Sequence, residues 1–362
     1  MKRTSALLAL TLTTLGLIAA LPTAAGTLYP VVMGSRWGFV DRNGSLIINP
    51  QFERAEPFAA EVAAFRLGKQ WGYVDAAGKV VISPQFETAG SFSSGLAPVE
   101  IGDRHGYINP EGKYVINPQF DDAKPFSEGR AVVKLKRRYG YIDKTGKLVV
   151  NPQFDSAGPF SDGLAAVEVG HRWGFIDQTG KLVINPQFDE AQGFSGGLAA
   201  IELNDRWGYV DKSGKILINP QFESAGAFVK GLAPVEIGDR WGFIDTTGKL
   251  VINPQFDDAK PFAQDLAAVE LADRWGFINK EGKYVVNPQF DAADSFADGL
   301  ARVKLSRKYG YIDDTGRLVW TPTNSIFLNP SLSDSRKWTP PSLRSPARRC
   351  LGRKAFTADA HA

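Results

Sequence analysis

Residues 231–261 read GLAPVEIGDRWGFIDTTGKLVINPQFDDAKP, and close copies of this stretch recur along most of the chain. The Trp241–Gly242 pair has a counterpart every 34 residues. The aromatic position of the copies is held by Trp37, Trp71, His105, Tyr139, Trp173, Trp207, Trp241, Trp275 and Tyr309. Self-similarity at a period of about 20–50 residues marks a repeat architecture, in which no unit can bury its apolar face alone. The sequence therefore predicts an array of nine units.

Each unit is predicted to contain three short antiparallel strands. In the copy above, residues 232–237, 241–245 and 249–253 are rich in apolar residues and are separated by turn sequences. The second turn, residues 245–248, has Asp at its first position and Gly where a positive φ is needed. Pro254 is expected to end the third strand, because proline cannot donate to a ladder.

Large apolar residues occur on both faces of these strands. A sheet with one wet face would show a clean alternation of apolar and polar residues, so each small sheet is expected to lie between two neighbours. Gly242 is expected to let an adjacent layer approach closely. Phe256 and Phe262 recur in the connecting segments and are expected to be buried between units.

The predicted fold class is all-β, a tandem array of nine three-stranded antiparallel units. An open superhelix, or solenoid, is favoured over a closed β-propeller, because nine units exceed the usual four to eight blades. The array also begins with a first strand at residues 28–33 and ends with a third strand at 316–320, so no terminal strand remains to complete a shared blade.

The pattern W-G-[FY]-[IV]-D-x-x-G-K-[LIV]-[IV]-I-N-P-Q-F resembles the bacterial WG-repeat family, also called KWG repeats. The resemblance covers residues 28–322 and implies a β-rich, exported or envelope-associated interaction module without a general activity. Departures from the pattern are His105, Tyr139 and Tyr309 at the Trp position and Asn109 and Asn279 at the Asp position.

The two ends of the chain differ from the repeats. Residues 1–26 have the layout of a secretory signal peptide, with Lys2 and Arg3 before an apolar stretch and small residues for cleavage after Ala25 or Gly26. Residues 27–322 form the repeat domain. Residues 323–362 are basic and rich in Pro and Ser, which predicts a disordered tail or a divergent end. Its lone Cys350 allows no intrachain disulfide.

Charge and side-chain chemistry exclude several function classes. The whole chain carries +3, and its two ends carry more positive charge than that, so the repeats are acidic and nucleic acid is not an expected partner. No segment after the signal peptide could span a membrane. His105, His171 and His361 have no partners at metal-ligand spacing, and no Cys lies within the array. We therefore expect neither an enzyme nor a cofactor or metal site.

Two periodic rows have a structural and a functional interpretation. The turn aspartates could be calcium ligands, but one carboxylate per unit does not converge on an ion, so capping of each turn's own N–H groups is favoured. That row comprises Asp41, Asp75, Asp143, Asp177, Asp211, Asp245 and Asp313. The Trp row could stack on glycans, but packing in the core is favoured.

A third row carries the candidate binding residues. Its acidic members are Glu100, Glu168, Glu202, Glu236 and Glu270. Two basic runs interrupt the row, and their cations are Lys134, Lys136, Arg137, Arg138, Lys304, Arg307 and Lys308. A solvated edge is the simpler interpretation; the functional one is a pair of basic patches that dock an anionic envelope polymer or an acidic protein face.

The sequence as a whole predicts a non-enzymatic scaffold for protein interaction at the cell envelope, secreted or periplasmic. An envelope polysaccharide-binding module and a structural spacer are the alternatives.

Overall fold

The computed structural model describes residues 27–321, which form nine antiparallel sheets in chain order. We call the sheets blades 1 to 9. Each blade has three long strands, and blades 2 to 9 add a short strand before the first of them.

The first long strands are Tyr29–Met33, Val62–Leu67, Ala97–Ile101, Ala131–Leu135, Leu164–Val169, Leu198–Leu203, Leu232–Glu236, Ala267–Leu271 and Ala301–Leu305. The second long strands are Arg36–Val40, Gln70–Asp75, Arg104–Ile108, Arg138–Ile142, Arg172–Asp177, Arg206–Asp211, Trp241–Asp245, Arg274–Ile278 and Lys308–Ile312. The third long strands are Leu46–Phe52, Val80–Phe86, Tyr114–Phe120, Leu148–Phe154, Leu182–Phe188, Ile216–Phe222, Leu250–Phe256, Tyr284–Phe290 and Leu318–Trp320. The short strands are Arg54–Ala55, Thr88–Ala89, Asp122–Ala123, Ser156–Ala157, Glu190–Ala191, Ser224–Ala225, Asp258–Ala259 and Ala292–Ala293.

The prediction of three strands per unit was therefore wrong by one strand. The segment that connects two units contributes a two-residue strand to the next blade, as where Ala259 pairs with Val269. The prediction that Pro254 ends the third strand was also wrong, because that strand continues to Phe256. Proline is tolerated there because the third strand is the last in its sheet and bulges at this point.

The bulge explains the glycine of the Trp–Gly pair. Trp241 pairs with Phe256 and Phe243 pairs with Ile252, so one residue of the second strand, Gly242, lies opposite three of the third, residues 253–255. The extra residues pass over Gly242, where a Cβ would lie 2.5 Å from the Ile252 carbonyl oxygen and 2.8 Å from the Pro254 nitrogen. The close approach predicted at this glycine is confirmed, but it comes from the blade's own third strand and not from an adjacent layer.

The core lies between consecutive blades, as predicted from the apolar residues on both strand faces. One cluster joins Phe243, Ile252 and Phe256 of blade 7 to Val269 and Ile278 of blade 8. The connecting segment adds Phe262, whose ring centroid lies 5.0 Å from that of Phe243. Each blade thus buries its face only against its neighbours, as a repeat protein must.

A carboxylate between consecutive blades adds a polar contact that sequence analysis did not identify. Asp189 forms an ion pair with Arg172 of blade 5 and accepts a 2.8 Å hydrogen bond from the backbone N–H of Asn204 in blade 6. The same pair of contacts is made by Asp121, Asp155 and Asp257. The sequence does contain an indication of this contact, because an acidic residue directly follows each Phe of the Pro-Gln-Phe motif.

The nine blades form a closed β-propeller, so the preference for an open superhelix was wrong. Blade 1 packs on blade 9 through a cluster of Tyr29, Val31, Leu300 and Tyr311. The open superhelix was expected because of the number of units and because no terminal strand remained to complete a shared blade, and neither reason holds. The ring has room for a ninth blade, and closure needs no blade shared between the chain ends, because side chains of two separate sheets meet across the seam between blades 9 and 1.

Candidate functional site

The hairpin turn between the first and second long strands lies on the same face of the ring in every blade, and we call this side the charged face. In blades 3 to 9 both central residues of the turn have positive φ, as in Asn204 (52°) and Asp205 (59°) of blade 6, whereas in blades 1 and 2 only the glycine, Gly34 or Gly68, does. This left-handed geometry matches the twist of a two-residue hairpin.

The row that sequence analysis singled out lies on this face, opposite the Trp row. Glu236, for example, pairs across the strands with Trp241. From blade 1 to blade 9 the row residues are Val32, Arg66, Glu100, Lys134, Glu168, Glu202, Glu236, Glu270 and Lys304. In the closed ring the residues of this row lie in a circle, and all of them except Val32 are charged.

The acidic part of the circle repels additional negative charge. Burial raises the pKa of Glu236, and the carboxylates of Glu223 and Asp239 raise it further. The pKa of Glu202 and of Glu270 is raised by the same two causes, burial first and neighbouring carboxylates second. Blades 6 to 8 therefore present a strongly anionic sector.

The basic run of blade 4 divides into structural and exposed residues. The Lys134 ammonium lies 5.0 Å from the ring centroid of Tyr139, and Arg138 forms an ion pair with Asp155. Lys136 and Arg137 are the exposed residues at the tip of the turn. Two of the four candidate residues thus support the blade, and two are presented to solvent.

The basic run of blade 9 is arranged around Tyr309. Lys304 lies 5.6 Å and Arg302 5.0 Å from its ring centroid. Arg307 is exposed at the tip of the turn, and Lys308 begins the second long strand.

Closure separates the two basic runs and gives one of them a new neighbour. Blades 4 and 9 are nearly opposite each other in the ring, so their cations do not form one patch. Across the seam, however, Lys304 and Arg307 are followed after blade 1 by Arg66 and Lys69 of blade 2. We call blades 9, 1 and 2 the basic sector. This sector is not apparent from the sequence, because its members lie at opposite ends of the array.

The turn aspartates serve their own turns, as the structural interpretation holds. Asp245 accepts hydrogen bonds from the backbone N–H groups of Thr247 at 2.9 Å and Lys249 at 3.1 Å. Asn109 accepts the equivalent bond from the Lys113 N–H at 2.9 Å. An amide therefore replaces the carboxylate in this role, and the row does not converge on an ion.

Two carboxylate triplets on the charged face were not anticipated. Glu87, Glu100 and Asp103 bring oxygens within 4.8 Å of one another, and so do Glu223, Glu236 and Asp239. One Glu223 oxygen accepts a hydrogen bond from the Asp239 backbone N–H, and Arg206 lies 3.4 Å from the other. Each triplet combines the row, the hairpin turn and the carboxylate between blades.

The Trp row is packed against the blades more than it is presented to solvent. Trp173, Trp207 and Trp241 are half-buried at the edges of the core clusters, and Trp275 is only 8% exposed. His105 occupies the same position, with Nε2 3.9 Å from a Glu100 carboxylate oxygen. Tyr309 is the exception, since 47% of its surface is exposed.

Other sequence-based predictions lie outside or beyond this geometry. The predicted signal peptide, residues 1–26, and the predicted tail, residues 323–362, lie outside the described residues 27–321. Within the described residues, no helix is long and apolar enough to cross a membrane.

Comparisons with known proteins agree with the repeat and the fold. The model of the family described as WG containing repeat matches residues 37–71, 71–104, 106–137, 139–170, 173–207, 207–241, 241–275 and 275–309. No curated protein matches the chain.

A solved structure described as that of the eukaryotic initiation factor is similar to 82% of this chain and 95% of its own, with a TM-score of 0.59 at 10% identity. This likeness shows the fold alone. A structure of PorZ, a surface component of the type-IX secretion system of Porphyromonas gingivalis, matches 80% of this chain and 46% of its own, with a TM-score of 0.33 at 9% identity. The eight tandem matches across residues 37–309 show that this chain belongs to the WG containing repeat family.

Proposed function

We propose that this protein is an exported, non-enzymatic scaffold at the cell envelope that binds a protein partner through its charged face. The observation that carries the proposal is the division of that face into a basic sector and an anionic sector. A surface with both signs in separate places favours one orientation of a partner with complementary charge.

The basic turns supply a second argument. Lys136 and Arg137 have φ values of 48° and 71°, a conformation that costs an L-residue about 1–2 kcal/mol. The equivalent first position is glycine in other blades, such as Gly238 with a φ of 60°. Exposed cations at a strained position are easier to understand as binding residues than as packing residues.

Export is proposed from the sequence of residues 1–26. N-terminal sequencing of the protein from an envelope fraction should give a chain that begins after Ala25 or Gly26. A chain that keeps Met1 and stays in the cytoplasmic fraction would remove the envelope from the proposal.

The binding proposal is tested by affinity capture from envelope extract, with and without prior protease digestion of the extract. We expect capture to disappear after digestion, to weaken with salt, and to weaken when Lys134, Arg137, Lys304 and Arg307 are all changed to Gln. The matched control changes Lys79, Lys113, Lys215 and Lys249 to Gln, which alters the same charge away from these turns. Capture that survives digestion would replace the protein partner by a polysaccharide, and no capture would leave a structural spacer.

A further inference from the structure

The third long strand of each blade lies at the outer rim of the ring. It is the last strand of its sheet, and in blades 2 to 9 the short strand is at the opposite edge. The segments that carry the short strands contact one another between consecutive blades. Lys260 Nζ donates a 2.7 Å hydrogen bond to the Ala293 carbonyl oxygen, and Gln192 Nε2 donates a 3.0 Å bond to that of Ala225. The sheets of a closed ring approach most closely at its centre, so the short strands face the centre and the third strands face outward.

A row of cations precedes the third long strands. The residue before this strand is lysine in blades 2 to 8, from Lys79 to Lys283, and Arg317 in blade 9, whereas blade 1 has Ser45. All eight cations are exposed. Among residues 27–321 no carboxylate forms an ion pair with the seven lysines, while Arg317 pairs with Asp313 at 3.0 Å. The lysine ammonium groups are therefore available to a ligand.

The sign of this row is uniform, unlike that of the charged face. The nine third long strands themselves contain no Asp or Glu. A turn Asp or Asn lies four residues before each cation, but its oxygen serves its own turn, as Asp245 accepts the Lys249 backbone N–H at 3.1 Å. The central residues of these turns contribute both signs, with Lys144 in blade 4 and Glu111 in blade 3. The outer rim is thus cationic although the repeats as a whole are acidic.

Exposed apolar and amide side chains follow each cation along the strand. In blade 7, Leu250 and Val251 are 39% and 47% exposed. Asn253 and Gln255 are exposed on either side of Pro254. Each rim site of blades 2 to 8 thus presents an ammonium group, an aliphatic surface and at least one amide along one edge strand.

The fold gives no reason for the repeated Asn side chain. Asn-Pro-Gln occupies this place in seven blades, and Ser-Pro-Gln occupies it in blade 2. In the described part of the chain these asparagine side chains form no hydrogen bond, and Gln255 uses only its Nε2, 3.3 Å from the Asn253 carbonyl oxygen. Exposed turn positions nearby vary between blades, with residues 246–247 Thr-Thr in blade 7 and residues 110–111 Pro-Glu in blade 3. Binding to a ligand outside the fold would account for the amide.

We propose that the outer rim binds an acidic polysaccharide. The lysines pair with its carboxylates, the amides exchange hydrogen bonds with its hydroxyl groups, and the aliphatic residues cover the C–H faces of its sugar rings. This inference goes beyond the proposed function, because the rim and the charged face are different surfaces. The turns that carry the rim cations join the second and third long strands, at the opposite end of each blade from the charged-face turns.

A polymer fits the arrangement better than a membrane surface does. The equivalent sites follow one another around the rim and face outward in different directions, so a flat anionic bilayer would meet only a few of them. A chain with repeated carboxylates follows the rim across several blades. Each further contact then adds affinity through effective concentration, without any new kind of interaction.

The test titrates the exported chain with polygalacturonate at low salt and follows binding by isothermal calorimetry. We expect saturable binding that weakens as salt is added. The polymer should bind at least about ten-fold more tightly per uronate than trigalacturonate does, because only the polymer spans several blades. Dextran, a neutral polymer, should not bind.

Two quadruple variants separate the rim from net charge. Changing Lys79, Lys113, Lys215 and Lys249 to Gln should weaken polymer binding at least about ten-fold, because four of the linked contacts are lost. The matched control changes Lys134, Arg137, Lys304 and Arg307 to Gln, which removes the same charge from the charged face and should leave polymer binding unchanged.

A third variant tests the amides without a change of charge. Asn117→Ala, Asn219→Ala and Asn253→Ala together should weaken polymer binding and leave its dependence on salt as it is. The melting temperature of this variant should equal that of the wild type, since these side chains form no hydrogen bond in the described fold.

Three results would overturn the inference. One is no binding of polygalacturonate, a second is equal loss in both quadruple variants, since net charge alone would then decide, and a third is equal binding of dextran. Binding of phosphatidylglycerol vesicles through the rim lysines, without binding of the polymer, would also overturn it and make the rim a membrane-binding surface.

The proposed function is judged separately, by capture that the charged-face variant weakens. Capture from digested envelope extract that only the rim variant weakens is polysaccharide held by the rim, and it leaves the protein partner of the charged face untouched.

Discussion

The Tyr311 hydroxyl donates a 2.9 Å hydrogen bond to the carbonyl oxygen of Pro30, a residue 281 positions earlier in the chain. At other junctions the equivalent tyrosine bonds the segment that follows its own blade, as Tyr209 does with the Gly226 carbonyl at 2.8 Å. The first strand of blade 1 therefore takes the place of the connecting segment at the seam. Tyr29 adds a second bond across it, with its hydroxyl 2.5 Å from the Asp298 carbonyl oxygen.

Closure predicts that the seam bond stabilises the fold as much as an internal one. Tyr311→Phe leaves the Pro30 carbonyl without its donor in a buried place and should lower the free energy of unfolding by about 1–3 kcal/mol. Tyr209→Phe is the matched internal control and should cost a similar amount. Denaturant unfolding measures both, and a neutral Tyr311→Phe beside a costly Tyr209→Phe would argue against the seam contact.

The bulge of the third strand predicts a strict requirement for glycine after the aromatic residue. Gly242→Ala places a Cβ against the backbone of residues 252–254, which cannot move aside cheaply, and should cost about 1–3 kcal/mol or more. Gly193→Ala is the control, because its nearest neighbour would be the Ser161 Cβ at 3.8 Å. Equal melting temperatures for the two variants would contradict the bulge geometry.

The basic turn of blade 4 is predicted to reduce stability. Lys136→Gly relieves a left-handed φ of 48° and should raise the free energy of unfolding by about 1 kcal/mol. The reverse change in blade 7, Gly238→Lys, should lower it by a similar amount. If the turn binds a partner, Lys136→Gly gains stability and loses affinity, and the two are measured by thermal unfolding and by capture from envelope extract.

The anionic sector predicts that the contribution of Glu236 to stability falls as pH rises. Because the folded pKa of Glu236 is raised above its usual value of 4.5, the folded state holds this proton more tightly than the unfolded state. Stability is therefore lost as pH rises through the raised pKa. Glu236→Gln should be more stable than the wild type at pH 7, and the difference should shrink toward pH 4.

The turn aspartates are expected to show the opposite pH dependence of stability, and they serve as a control. The Thr247 hydroxyl, ahead of the backbone N–H groups, holds the pKa of Asp245 below its usual 3.8. Its contribution is present above that value and is lost as pH falls through the lowered pKa. Unfolding curves of Asp245→Asn should thus fall below those of the wild type at pH 7 and converge with them in acid. The same trend for both variants would contradict the assigned neighbours.

Features that depend on local sequence could be predicted. The nine-fold repeat, the long strands and the Asp turns follow from period, alternation and turn chemistry that each unit carries in itself. The short strand could not be found this way, because two residues such as Asp258–Ala259 are too few to show alternation. The prediction for Pro254 was wrong because a proline interrupts a strand that is paired on both sides, whereas the third long strand is at the edge of its sheet.

Closure depends on information that no single unit contains. Tyr29 and Tyr311 stand at opposite ends of the array, and nothing near either residue indicates that their rings lie 5.5 Å apart. The basic sector was missed for the same reason, since Arg66 and Lys304 become near neighbours only in a ring. The seven candidate cations lie on or beside the turns of the charged face, and the ring decides which of them lie near one another; their role in binding stays a prediction.

The most direct test of the closed ring is a distance between spin labels across the seam, measured by pulsed electron resonance. In a Cys350→Ser background, cysteines replace Ser35 in blade 1 and Arg307 in blade 9, which occupy the same turn position eight repeats apart. Asp103 and Arg137 in the adjacent blades 3 and 4 provide the calibrating pair. A closed propeller predicts the same distance distribution for both pairs. A much longer distance for residues 35 and 307 would show an open array and contradict both the ring and the seam.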